Sequence, residues 1–221
     1  VRKGIVITID GTAGSGKSTT AREVAKRLGY LYLDTGAMYR AVTLKVLREK
    51  VEPDDTEELA RLLDDTEIHV DRKNRVWLDK EDVTPEIRMP EVDRLVSLIS
   101  AIPAVRERLV ALQREIGRDG GLVCEGRDIG TVVFPEAQLK IYMDAELSER
   151  GRRRRKELSE KDVGLNEEKV MDNIASRDEM DQRRSHSPLR VPEDAIIIDT
   201  THLTIEQEIE TVLREVHRLK L

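Results

Sequence analysis

IVITIDGTAGSGKST, residues 5–19, is the stretch whose reading decides the architecture. Its first half, from Ile5 to Ile9, is an apolar run broken only by Thr8, the pattern of a strand buried on both faces within a parallel sheet. Gly11, Gly16, Lys17 and Ser18 then satisfy G-x-x-x-x-G-K-[ST]. A helix follows, with Ala21, Val24, Ala25 and Leu28 on one stripe and Gly29 placed to end it. Strand, glycine loop and helix together are the context that the motif requires. Its glycines let the backbone approach phosphates closely, and its N–H groups form an anion nest at a helix N-terminus. Lys17 sets a positive charge against the β- and γ-phosphates, and Ser18 offers a hydroxyl to Mg²⁺. The loop thus implies a nucleotide ligand but leaves the reaction open, because switches, motors, transporters and kinases all carry one.

Outward from the loop, the chain alternates strands with helices. LYLD at 31–34 reads as a second strand, and a helix is expected from 36 to about 50, stopped near Pro53. Between 66 and 82 the character changes: EIHV and RVWLD alternate around the polar turn DRKN, a hairpin signal that continues into a helix at 91–99. A further helix runs from 103 to 116, with Pro103 suited to its first turn. GLVCEGRD and LKIYMD return to strands, and 145–159 reads as a basic helix. A long polar helix at 166–184 and the strand DAIIIDT come next, before a final helix opened by the capping-box pair Thr204 and Gln207. Repeated strand–helix order predicts an α/β fold, a parallel sheet covered on both faces.

The 221 residues suit one compact domain spanning 1–221. Charged residues make up 37% of the chain, and their net charge of -6 disfavours general nucleic-acid binding. Cys124 is the only cysteine, so no intrachain disulfide forms, and its position inside an apolar run predicts a small buried side chain. With no signal-peptide pattern and no run long enough to span a bilayer, the expected location is cytoplasmic, away from membranes. His69, His186, His202 and His217 lack metal-ligand spacing.

Three further clusters bear on the reaction. LDTGAMYR, 33–40, places Asp34, Thr35, Tyr39 and Arg40 where the second strand ends, and open α/β sheets bind ligands outside the carboxyl ends of their strands. Thr35 as a plain helix cap beside a solvated Arg40 is the alternative. EGRDIGTVVFP, 125–135, sets Arg127 and Asp128 just past another strand, as ligand contacts or as a salt bridge capping the sheet. In RDEMDQRR, 177–184, Arg177, Asp181 and Arg184 share one helix face. That face either is solvated or meets a phosphate with two guanidinium groups and a ribose hydroxyl with the carboxylate. The basic run RGRRRRK, 150–156, leads into a polar segment suited to a lid. An RNA-binding patch is disfavoured by the acidic total and the lack of interleaved aromatics. Phosphoryl transfer needs this inventory: two anionic substrates held in line, and spreading negative charge neutralised out of water.

Taken together, GTAGSGKST, LDTGAMYR, PEIRMPEVDRLVSLISAIPAVRERL, EGRDIGTVVFP, RDEMDQRRSHSPL and DTTHLTIEQ resemble the bacterial cytidylate kinases, of the nucleoside monophosphate kinase group, over nearly the whole chain. The resemblance implies a P-loop three-layer fold with a five-stranded parallel sheet in order 2-3-1-4-5. It adds a monophosphate-binding insertion at about 64–102 and an arginine lid at about 150–165. It implies a monomer that transfers the γ-phosphoryl group of ATP, with Mg²⁺, to CMP or dCMP. Gly11, Thr12, Ala13, Gly14, Ser15, Gly16, Lys17, Ser18 and Thr19 would hold ATP. Thr35, Tyr39, Arg40, Ser97, Arg106, Arg127, Asp128, Arg177, Asp181 and Arg184 would line the acceptor side. Among these, Ser97, Arg106 and Asp128 would read the base, and Asp181 would take the ribose hydroxyl. Lys17, Arg127, Arg177 and Arg184 would be the catalytic cations, joined by one or more of Arg152 to Arg155 from the lid.

Overall fold

The computed structural model describes residues 4–71, 73–159 and 167–219. Strand β1 (Val6–Gly11) runs through the glycine loop into α1 (Lys17–Leu28), followed by β2 (Leu31–Asp34), α2 (Thr35–Glu49) and α3 (Thr56–Asp64). A small antiparallel sheet of β3 (Ile68–Val70), β4 (Val76–Leu78) and β5 (Glu81–Asp82) precedes a 3₁₀ turn (Glu86–Arg88), α4 (Pro90–Ile99) and α5 (Pro103–Gly117). The second half holds β6 (Leu122–Gly126), a π-helical turn (Ile129–Val133), β7 (Leu139–Asp144), α6 (Leu147–Ser159), α7 (Glu167–Arg183), β8 (Ile196–Asp199) and α8 (Ile205–Arg218).

The main sheet has the order β2-β6-β1-β7-β8, and every pair is parallel. Counted along these five strands alone, that is the expected 2-3-1-4-5. Chain order reverses around β1, which opens a crevice at its carboxyl end, the place where doubly wound sheets bind ligands. Alternate residues of β1 serve opposite layers. Ile7 and Ile9 pack with Ala21, Val24, Ile141, Ile209 and Val212 on one face. On the other, Leu33, Cys124, Met38, Val42 and Leu109 form a separate core. Burial pushes the Cys124 thiol well above its usual range, in keeping with a packing role.

Several local readings hold for the reasons given by the sequence. Gly29 ends α1 in the left-handed conformation, and Thr204 and Gln207 form a reciprocal capping box on α8. α3 departs from expectation, since 56–64 carries no helix in the reading above. Its signal was short: Asp55 caps the Glu58 N–H at 2.9 Å, and Leu59, Leu62 and Leu63 make a single buried stripe. The small sheet also gains a third strand, β5, only two residues long. Part of the lid expectation, residues 160–166, lies outside the described residues.

Gly11 fixes how the loop leaves the sheet. Its φ is +148°, and a Cβ there would stand 1.9 Å from the carbonyl oxygen of Met143, its partner across β7. The obstacle is backbone, so neither a rotamer change nor local slippage relieves it. Gly11→Ala is expected to lower stability by about 3 kcal/mol or more. Denaturant unfolding measures this, and an unchanged midpoint contradicts it.

Candidate active site

The loop wraps around a buried lysine. Lys17 Nζ donates to the Thr12 carbonyl at 2.8 Å, as does the Ser15 hydroxyl at 3.0 Å. Gly14 and Gly16 adopt left-handed φ values of 77° and 95°, which turn the loop back upon itself. Burial, and then the Arg127 guanidinium, lower Lys17 to about 7, while Glu125 works in the opposite direction. Ser18 and Thr19 are exposed at the first turn of α1. Glu125 is buried at the end of β6, takes the Tyr32 hydroxyl at 2.7 Å, and is pushed up by burial and by Asp34. Hydrogen bonds from Ser18 and Tyr32 partly offset that rise.

Asp10, the residue before Gly11, accepts N–H bonds from Ile129 at 2.8 Å and Gly130 at 2.7 Å. It thereby fastens the GRDIG segment to the end of β1. Burial raises its carboxyl to about 7 despite both bonds.

The expected acceptor residues gather around three carboxylates. Arg106 of α5 pairs directly with Asp128, and both are almost wholly buried. The same guanidinium donates to the Ser100 carbonyl at 3.1 Å and stands 5.4 Å from the Tyr39 ring centre. Burial lifts the Tyr39 hydroxyl to about 12, and burial also raises Asp128 against the pull of Arg106 and Arg184. Around Asp181, Arg127 donates at 2.8 Å and Arg184 lies at 3.2 Å. Arg127 and Asp128 therefore each bond another partner rather than capping the sheet as a pair. Arg40 and Arg177 converge on Asp93 of α4, Arg40 through a direct charge-assisted bond and Arg177 at 3.7 Å. Burial, with Arg40 and Arg127 nearby, lowers Arg177 to about 10.

One expected residue sits differently from the simplest reading. Asp34, not Thr35, caps α2 by accepting from the Ala37 N–H at 2.9 Å; the Thr35 hydroxyl instead donates to the Glu125 carbonyl at 2.8 Å. Ser97 lies half-buried on α4, one turn beyond Asp93, with its carbonyl accepting the Ser100 hydroxyl at 3.1 Å.

The uniform basic run resolves into separate tasks. Arg150 pairs with Asp178 and donates to the carbonyls of Ala13 at 3.1 Å and Ala145 at 2.9 Å. Asp178 in turn accepts the Ala13 N–H at 2.9 Å. Arg152 bonds Glu149 on the surface. Arg153 reaches the Thr200 carbonyl at 2.6 Å and the Ser15 carbonyl at 3.4 Å, behind the loop. Arg154 points across to Asp93 at 3.2 Å. Asp10, Asp93, Glu125, Arg150 and Asp178 were not singled out from sequence. Their only signals were a polar residue in a buried strand or a charge on a helix also rich in others.

A glycine loop at the end of the central strand, faced by arginines from α2, from the segment just after β6 and from α7, defines a P-loop α/β protein of the small-molecule kinase class. The cytidylate kinase family matches residues 7–218, and the chain belongs to that family. It is 49% identical over 214 residues to the cytidylate kinase of Caldanaerobacter subterraneus subsp. tengcongensis, covering 97% of this chain and 95% of that one. With the cytidylate kinase of Geobacter sulfurreducens it shares 46% identity over 98% of this chain and 96% of the relative. A shikimate kinase from Bacteroides thetaiotaomicron shares the fold, with a TM-score of 0.51 at 14% identity over 98% of this chain and 99% of the other.

Proposed function

We propose that the chain catalyses transfer of the γ-phosphoryl group from ATP to CMP, and to dCMP, yielding ADP and the cytidine diphosphate. The observation that carries the reading is the buried Arg106–Asp128 pair set beside the arginine clusters. Cytosine presents a donor at N4 and acceptors at N3 and O2, which a carboxylate and a guanidinium complement. Uracil inverts the pattern at two of those positions and leaves buried polar groups unpaired. Relatives named cytidylate kinases, nearly half identical over almost the whole chain, support the same acceptor.

In this reading the loop from Gly11 to Thr19 cradles the ATP phosphates through its N–H groups, and Lys17 turns from Thr12 to the β- and γ-phosphates. Arg40 and Arg177 hold the CMP phosphate so that one of its oxygens faces the γ-phosphorus in line with the departing ADP oxygen. Arg127 and Arg184 neutralise charge spreading over the transferred group. Asp181 accepts the ribose hydroxyl. Among the described residues no group of three or more His, Cys, Asp or Glu side chains can hold a metal by itself. The exposed Ser18 hydroxyl, next to Glu125, would help hold a Mg²⁺ brought with the nucleotide. Such an ion supplies charge neutralisation at the transferring oxygens. We place the monophosphate-binding insertion at about 64–102 and the lid at about 150–165, in one monomeric domain acting in the cytoplasm. No helix among the described residues is long and apolar enough to cross a membrane.

A coupled assay with ATP and a panel of monophosphates tests the reading. ADP release that depends on CMP is expected. Equal turnover with every acceptor favours a less selective kinase, and none with any acceptor favours a non-catalytic ATP-binding module; either result overturns the proposal.

The state of Lys17 yields a second test. Burial and the Arg127 guanidinium favour the neutral form of Lys17 in the free protein, increasingly so as pH rises. A polyphosphate against the ammonium favours the charged form, so nucleotide binding above pH 7 must take up a proton, while binding well below pH 7 takes up none. Calorimetry of ADP binding at about pH 8.5, in two buffers of different ionisation enthalpy, should report net proton uptake. Uptake should vanish in Lys17→Met, and identical heats for the parent chain in both buffers rule the assignment out.

A further inference from the structure

Asp93 is an acidic side chain at a place where the proposed reaction requires an anion from outside. It stands on α4 with 28% of its side chain exposed. Arginines from three other elements close on its two oxygens. Arg40 of α2 bonds one oxygen directly, Arg177 of α7 approaches the same oxygen at 3.7 Å, and Arg154 of α6 reaches the other at 3.2 Å. Guanidinium groups brought this close repel one another unless an anion lies between them. Arg177 shows that repulsion, being lowered to about 10 by burial, by Arg40 and by Arg127. Asp93 answers it, and the arginines hold its carboxyl below the usual range against the effect of its own burial.

A phosphate monoester meets the same forks with three oxygens and up to two charges, where the carboxylate has two oxygens and one charge. Asp93 is a weaker occupant of the same cage. Its side chain is partly exposed, so part of the carboxylate already faces solvent. We propose that Asp93 is a resident occupant of the acceptor-phosphate subsite: it keeps Arg40, Arg154 and Arg177 converged in the free protein and is displaced by the phosphate of the incoming monophosphate. The inference rests on the acceptor reading above and gives Asp93 a positioning role that sets acceptor affinity. Displacement means that part of the binding energy of every acceptor goes into breaking ion pairs. A purely structural tie between α4, α6 and α7 makes the opposite prediction, because its removal loosens the cage and weakens binding.

Calorimetry of CMP and of cytidine, without ATP, on the parent chain, Asp93→Asn and Asp93→Ala separates the two. Both variants should bind CMP more tightly, by about fivefold if the lost competitor is worth what partly exposed ion pairs are generally worth. Cytidine lacks the phosphate, so its affinity should not change. In steady state the KM for CMP should fall by a similar factor, with the KM for ATP unaltered. Unchanged or weaker CMP binding in both folded variants overturns the inference. A crystal structure of the parent chain with CMP decides independently of any variant. Asp93 must have left Arg40 and Arg177; if it still bonds both with CMP in place, the inference fails. An active parent enzyme combined with unresponsive variants defeats this inference alone, whereas a parent chain without CMP-dependent turnover defeats the acceptor reading beneath it as well.

Discussion

Lys17→Ala is expected to lower kcat by about 100-fold or more while leaving the fold in place. The free protein places this ammonium in a buried pocket, bonded to Thr12 and shifted down to about 7. Such a position is costly for a cation with no ligand. The cost is recovered when a polyphosphate arrives, and most fully when charge spreads onto the oxygens between the β- and γ-phosphorus. The loss therefore falls on kcat more than on the KM for CMP. Because burial disfavours its charge while its Thr12 bond is a single contact, removal of Lys17 should leave thermal stability close to that of the parent chain. Stopped-time assays with saturating CMP, together with a melting curve, measure both. Near-normal kcat, or a large rise in the KM for CMP alone, refutes the role.

Asp128→Ala carries the second large effect, on two separate readouts. Breaking its buried pair strands Arg106, and loss of one partner from such a pair costs about 3–5 kcal/mol. Arg106 keeps the Ser100 carbonyl and the Tyr39 ring, so the chain is expected to fold with a lower melting point. The chemical consequence is separate. Without a carboxylate to accept from N4, CMP loses its advantage over UMP in kcat/KM, by roughly two decades for a site built on polar complementarity. Asp128→Asn controls for folding: it preserves volume and offers a donor to the uracil O4, so its CMP/UMP ratio should fall as well. A ratio unchanged in both variants means that the base is read elsewhere.

The architecture was readable because its cues were local. The apolar run Ile5–Ile9, the glycine loop and Gly29 each specify backbone geometry within a few residues, and strand–helix alternation then leaves few topologies. The helix 56–64 escaped notice because one stripe of Leu59, Leu62 and Leu63 is too short to stand out beside charged neighbours. In the candidate site, the arginines and carboxylates of the three motifs were visible as residues, but not which of them would meet. Pairing is a long-range property: Arg127 finds Asp181 rather than its neighbour Asp128, and Asp128 finds Arg106 across 22 positions of sequence. Within the run 152–155 every residue has the same chemistry, so only helix rotation separates Arg153, facing Thr200, from Arg154, facing Asp93. Asp178 was invisible for a related reason, since its value lies in receiving the Ala13 N–H of a loop 165 residues away.

The anchoring of Arg150 has a mechanical consequence. Its bonds to Asp178, Ala13 and Ala145 clamp the root of α6 to α7 and to the glycine loop, so that end of the helix is a fulcrum. Arg154 is four residues further along, a lever arm of only about 6 Å at helical rise. Tilting so short an arm by about 10° moves the backbone of Arg154 only about 1 Å, which matters because displacements of that size at a reacting centre cost rate. The charge brought by α6 is thus delivered by a stiff, short-stroke part geared to the loop that holds the donor. The glycine loop and the helix that carries Arg154 share one anchor point, Arg150.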